Sequence, residues 1–150
     1  MINILMGEDF IEWDNQILLL RERVSNLKVP NENSPVTLHN FNIETEALYT
    51  EVQLLYGRSR ALKDAIARLI KNVLENAYEG RSSDLRRAAG IQYAENYPYQ
   101  DRTVNLFHLD YRYSEYMYSL EAMIKSLEAK MNAKITNNSL LNLEKSLMPN

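Results

Sequence analysis

Three arginines, Arg81, Arg86 and Arg87, fall inside the stretch GRSSDLRRAAG (Gly80 to Gly90), where Asp84 is the only acid. Guanidinium groups this close together suit phosphate oxygens, which they bind as planar, permanently charged forks. Arg58, Arg60 and Lys63 add a second basic group upstream. A different chemistry is offered by LFHLDYRYSEYMYSL (Leu106 to Leu120), which holds four tyrosines, one phenylalanine and one of the chain's two histidines. Such a run can stack bases, form a subunit seam or fill a core.

The usual parts of an enzyme are missing. There are no cysteines, so disulfides, thiolate nucleophiles and thiolate metal sites are excluded together. The histidines, His39 and His108, are alone, and neither has a glutamate three residues before it as a di-metal helical bundle requires. Carboxylate pairs exist at Asp110 and Glu115 and at Glu121 and Glu128, but no nucleophile or base accompanies them. The repeated step YGRSR (Tyr56 to Arg60) and YEGRSS (Tyr78 to Ser83) is not a phosphate-cradling loop, because no GxxxxGK[ST] occurs. No catalytic residue, metal or cofactor is therefore assigned, and a non-enzymatic protein is expected.

The elements that position these groups read as helices. Phe10, Trp13, Ile17, Leu20, Val24 and Leu27 recur at spacings 3, 4, 3, 4 and 3, which predicts an acidic amphipathic helix over residues 8–28. VPNENSPVTLHN (Val29 to Asn40) reads as a connector. The second helix, expected over 42–79, places Leu48, Val52, Leu55, Ser59, Leu62, Ile66, Leu69, Val73 and Asn76 at alternating spacings of 4 and 3, an a/d seam four heptads long. At about 1.5 Å per residue such a helix is about 55 Å long and needs helical partners. Gly57 lies in its middle and Gly80 just past its end, the latter as a left-handed stop. Residues 80–102 read as a connector, first basic and then aromatic around Pro98, a third helix is expected over 103–135, and 136–150 form a tail with one short helix.

Helical phase sorts the tyrosines. Leu106, Leu109, Tyr113, Tyr116, Leu120, Ile124, Leu127 and Met131 share one face, which is core. Phe107, Tyr111 and Tyr118 lie on the opposite side, and a helix apolar on two sides is normally sandwiched. These three, with Phe10 and Trp13 of the first helix, are the expected oligomer interface.

The chain's 150 residues and 17.5 kDa are one domain's worth of material, and 45% apolar with 25% charged residues is ordinary for a soluble protein. No apolar run reaches the roughly 18 residues of a membrane helix, and MINILMGEDF lacks the basic start of a secretory signal, so a cytoplasmic protein is expected. The net charge of −3 conceals a polarity: residues 1–56 balance at −6, residues 57–87 at +4 and residues 88–150 at −1. The basic middle can meet phosphate or the acidic part of another copy. The fold class expected is all-α, an elongated antiparallel helical hairpin or bundle with long coiled-coil-like helices, assembling into a homo-oligomer.

From about Ile43 to Ile135 the layout resembles the UvsY recombination mediators of T4-type phages. A long charged helix ends in an aromatic-glycine-basic step (Tyr78, Glu79, Gly80, Arg81), and a polar connector leads to a helix with early tyrosines and late aliphatics, LDYRYSEYMYSLEAMIKSLEAKMNAKI. The resemblance implies a phage-type homo-oligomer that binds single-stranded DNA and helps load a RecA-like recombinase in the host cytoplasm. It implies DNA contacts at Arg58, Arg60, Lys63, Arg81, Arg86 and Arg87. The residues themselves equally accommodate a structural or assembly protein acting through helix packing alone.

Overall fold

Apolar side chains recurring every three or four positions fold the chain into helices nearly throughout. A computed structural model describes residues 1–31, 34–76 and 80–148. Its elements are α1 (Ile2–Met6), α2 (Phe10–Asn26), α3 (Pro35–Glu75), α4 (Ser83–Glu95), β1 (Tyr97–Tyr99), β2 (Arg102–Val104) and α5 (Leu106–Leu147). The only β-structure among the described residues is that pair of three-residue strands, so the class is all-α. No described helix is long and apolar enough to cross a membrane.

Three boundaries differ from the sequence expectation, each for a local reason. The connector over 29–40 is shorter than read, because α3 starts at Pro35. Proline is well placed there, since the first turn needs no N–H from it, and the Ser34 carbonyl accepts the amide of Leu38 at 3.0 Å. The stretch 80–102 is not a connector. Ser82 caps α4 by accepting the Leu85 amide at 3.2 Å, and Tyr97–Tyr99 pairs antiparallel with Arg102–Val104 across a two-residue turn in which Gln100 has φ 54°. Finally, the break expected near residue 135 is absent, and α5 runs on to Leu147. No glycine or proline lies between 106 and 147, and the Thr136 and Ser139 hydroxyls bond back to the carbonyls of Asn132 and Ile135 instead of competing with the helix. The end of the second helix expected at Glu79 lies outside the described residues, and so do Tyr78 and Glu79 as members of the step around Gly80.

Where the sequence is read as one domain, the chain divides into two compact units, Met1–Ile11 with Gly57–Tyr118, and Glu12–Tyr56 with Ser119–Asn150. The first has Leu5, Ile66, Leu106 and Tyr113 wholly buried. Its α1 is tied in by the Tyr113 hydroxyl, which donates to the carbonyl of Leu5. The second buries Trp13, Ile17, Leu20 and Val24 of α2 with Leu48 and Val52 of α3 and Leu120 and Leu127 of α5. There Lys130 closes the end of α2, donating to the carbonyls of Val24 and Leu27 at 2.6 Å each. The α3 seam is buried from Leu48 to Leu69 except for a half-buried Leu55, with Ser59 as its small polar member, and Asn76 at its end is exposed.

Candidate nucleic-acid interface

All six basic residues singled out from the sequence belong to the unit formed by Met1–Ile11 and Gly57–Tyr118, but their environments differ. Arg58 on α3 donates to both carboxylate oxygens of Glu8 at 2.8 Å. Lys63, one turn on, is paired with Asp110 of α5 at 2.6 Å, both side chains being largely covered. These two cations are already neutralised within the fold. Arg60 projects from α3 between them, exposed and without an ion pair among the described residues.

The three downstream arginines are placed together. Arg81 precedes the cap of α4, and Arg86 and Arg87 occupy its first turns. All three are exposed and make no ion pair among the described residues. Gly80 fixes the approach: its φ is +118°, and a Cβ there would lie 2.6 Å from the Cβ of Leu85. A residue other than glycine would therefore push against the first turn that carries Arg86.

An aromatic group missed in the sequence sits beside these arginines. Tyr93 is seven residues after Arg86, two turns along the same face of α4, and is 51% exposed. Its ring meets that of Tyr97 on β1 edge-on, with centroids 5.7 Å apart. On the same hairpin the Arg102 guanidinium lies over the Tyr99 ring, 5.4 Å from its centroid. The seven-residue step was present in the sequence. It went unread because IQYAENYPYQDR carries no periodicity once its helix is taken for a connector.

The tyrosines of α5 divide as their phase requires. Tyr113 is fully buried, its ring 5.8 Å from Phe10 and 6.4 Å from Tyr116. Burial, and after it the charge of Glu8, push its hydroxyl well above the ordinary tyrosine range. Tyr111 and Tyr118 are exposed at 67% and 61%, and Phe107 is half-buried. Two residues expected at a subunit interface are placed otherwise. Trp13 is 3% exposed, so it offers no surface to a second copy. Phe10 is half-buried, with the Arg112 guanidinium 4.6 Å above its ring and its carbonyl accepting from Tyr116. The periodicity of α2 identified both as an apolar stripe but could not say that the chain itself covers it.

The carboxylates considered for catalysis are in structural contacts. Asp110 holds Lys63, Glu115 accepts the Tyr111 hydroxyl at 3.3 Å, Glu121 pairs with Lys125 at 3.5 Å and Glu128 accepts the Tyr49 hydroxyl. Among the described residues no three histidine or acidic side chains group where they could hold a metal ion. What α4 and the hairpin can do chemically is bind a polyanion with flat rings, by charge at Arg81, Arg86 and Arg87 and by stacking at Tyr93. Comparison with known proteins found no matching family model, curated relative or solved structure.

Proposed function

We propose that the protein is a non-enzymatic, self-associating single-stranded-DNA binder that acts as a recombination mediator, helping to load a RecA-like recombinase. The observation that carries the DNA contact is that Arg86, Arg87 and Tyr93 are all exposed on one short helix, with the exposed Arg81 just before its cap. Single strands are held by such pairing of charge with stacking, each stacked base contributing about 1–3 kcal/mol. The loading role follows from the resemblance to the UvsY mediators. Antiparallel pairing of the long helices is supported by the contacts Lys134 to Asn42 and Tyr49 to Glu128, in which one partner advances along α5 as the other retreats along α3. Several weak patches on one assembly add their phosphate contacts along a strand, which offsets the acidity of the chain as a whole.

The test is binding of a labelled oligothymidylate across a salt series. Binding is expected at about 50 mM salt and should weaken steeply by about 200 mM. Replacing Arg81, Arg86 and Arg87 by alanine should lower the log–log salt slope by about 2, at about 0.7 per phosphate contact. Tyr93→Ala should weaken binding about tenfold and leave the slope alone. No binding at low salt, or a triple variant with unchanged slope, overturns the DNA reading.

A second reading, a structural or assembly protein without nucleic acid, is favoured by one observation. Tyr111 and Tyr118, one face of α5 and seven residues apart, are both exposed. On that reading Tyr111→Ser with Tyr118→Ser disrupts assembly, and no oligonucleotide binds at any salt.

A further inference from the structure

The last turns of α5 carry leucines that stay in the open: Leu140, Leu143 and Leu147 are 57%, 56% and 74% exposed. Traced back along the same unbroken helix, their spacing continues through Thr136, Ala133 and Ala129, which are exposed as well. From Ala129 to Leu147 the steps are 4, 3, 4, 3 and 4, the pattern of a coiled-coil a/d seam. This strip is separate from the buried face of Leu120, Ile124 and Leu127. All six of its residues belong to one compact unit, that of Glu12–Tyr56 with Ser119–Asn150.

Two observations say what covers it. First, the strip is graded in size, with two alanines and a threonine at one end and three leucines at the other, so turned end for end it complements itself. Second, its charges do the same. Residues 129–147 contain four charged side chains, Lys130, Lys134, Glu144 and Lys145. At the small-residue end Lys130 donates to the carbonyls of Val24 and Leu27 and Lys134 to the Asn42 side-chain oxygen, all neutral acceptors, and the exposed Lys28 follows Leu27 there. At the leucine end Glu144 is exposed and in no ion pair among the described residues. Glu144 is two heptads after Lys130 and therefore on the same edge of the strip, whereas Lys145 points directly away from it.

We infer that a second copy of this chain docks on this strip, with the two α5 helices antiparallel over about 28 Å and related by a two-fold axis level with residue 138. In that register Leu147 of each copy faces Ala129 of the other, Leu143 faces Ala133, Leu140 faces Thr136, and Glu144 reaches the Lys130 edge twice by symmetry. The residues that meet their own mates beside the axis, Asn137 and Ser139, are uncharged. The parallel alignment sets leucine on leucine and alanine on alanine, wide at one end and narrow at the other, and leaves Glu144 beside Ser139 of the other copy in place of a lysine. Leucine against alanine gives one even spacing along the whole contact, and the flanking charges select direction and register more than they add strength.

The inference rests on the self-association proposed above and names its surface. The test is the mass of the full chain by sedimentation and light scattering over a concentration series, with helix content followed by circular dichroism. Wild type is expected to associate. Leu143→Glu and Ala133→Leu, both at exposed positions and expected to keep the helix content, should each weaken association about tenfold or more, the first by placing a charge in the contact and the second by setting leucine against leucine. Ala133→Leu combined with Leu143→Ala exchanges the two sizes and should restore it, because position 133 of one copy faces position 143 of the other. Association untouched by both single changes overturns this seam and leaves self-association standing. Single changes that weaken association without rescue in the size exchange overturn the antiparallel register. A monomer at all concentrations overturns both, and DNA binding by that monomer would still stand.

Discussion

Gly80 and Gly57 stand beyond and within the same helix and do opposite things. Gly80 has a backbone that only glycine adopts at low cost, and a side chain there collides with Leu85. Gly80→Ala is expected to cost about 1–3 kcal/mol in denaturant unfolding and to weaken oligonucleotide binding, because the first turns of α4 carry Arg86 and Arg87. Gly57 has open space around it, so in dilute protein Gly57→Ala should add up to about 1 kcal/mol and raise Tm by about 2–4 °C. Tyr113 is the third residue with a consequence of its own. Tyr113→Phe leaves the buried Leu5 carbonyl without its donor and should cost about 1–3 kcal/mol. Its folded pKa is raised, chiefly by burial, so the proton is held more tightly folded than unfolded. The stability this confers is complete below the ordinary value of 10.0 and is lost as pH rises above it, which an alkaline unfolding titration of wild type against Tyr113→Phe would read.

At the scale of elements, polar groups at helix ends matter more than ion pairs between helices. Lys130 joins a positive charge to two carbonyls at the negative end of α2, so Lys130→Met should destabilise by about 1–3 kcal/mol. The Arg23–Glu51 pair is short at 2.5 Å, but its side chains are 40% and 51% exposed, and Arg23→Ala should change stability by no more than about 1 kcal/mol. The same distinction explains which elements were readable. The stripes of α2 and α3 and the core face of α5 announce themselves over many residues. α4 has only Gly90 and Ala94 as fully buried positions, too small to mark a face, and its real signal was the cap at Ser82. The hairpin was hidden because Pro98 reads as a breaker, although paired with Thr103 at the edge of a two-stranded ribbon it is tolerated. The continuation of α5 past residue 135 was hidden because asparagine and serine read as a stop where nothing else ends the helix.

For the whole molecule, the net charge of −3 speaks against generic attraction to nucleic acid, so any DNA binding must be local to α4 and multiplied by association. Salt sensitivity and mass should then move together. Tyr111→Ser with Tyr118→Ser, which removes the exposed aromatic pair of α5, is expected to weaken binding to a long oligonucleotide by lowering valency, while a short oligonucleotide covering one site should be unaffected. Tighter binding of the long strand by this variant would break the link between association and DNA.

What the sequence determined by itself is the helical class, the buried α3 seam and the sorting of the tyrosines, Tyr113 and Tyr116 inward and Tyr111 and Tyr118 outward. These follow from a period of 3.6 residues, which is a local property of the chain. Only the tertiary structure decided which cations are available. Arg58 is neutralised by Glu8, 50 residues away, and Lys63 by Asp110, 47 residues away, while Arg81, Arg86 and Arg87 stay exposed beside Tyr93. It likewise turned Phe10 and Trp13 into the chain's own packing. Charge and burial depend on distance in space, and a linear sequence carries that distance only where neighbours along the chain are also neighbours in the fold.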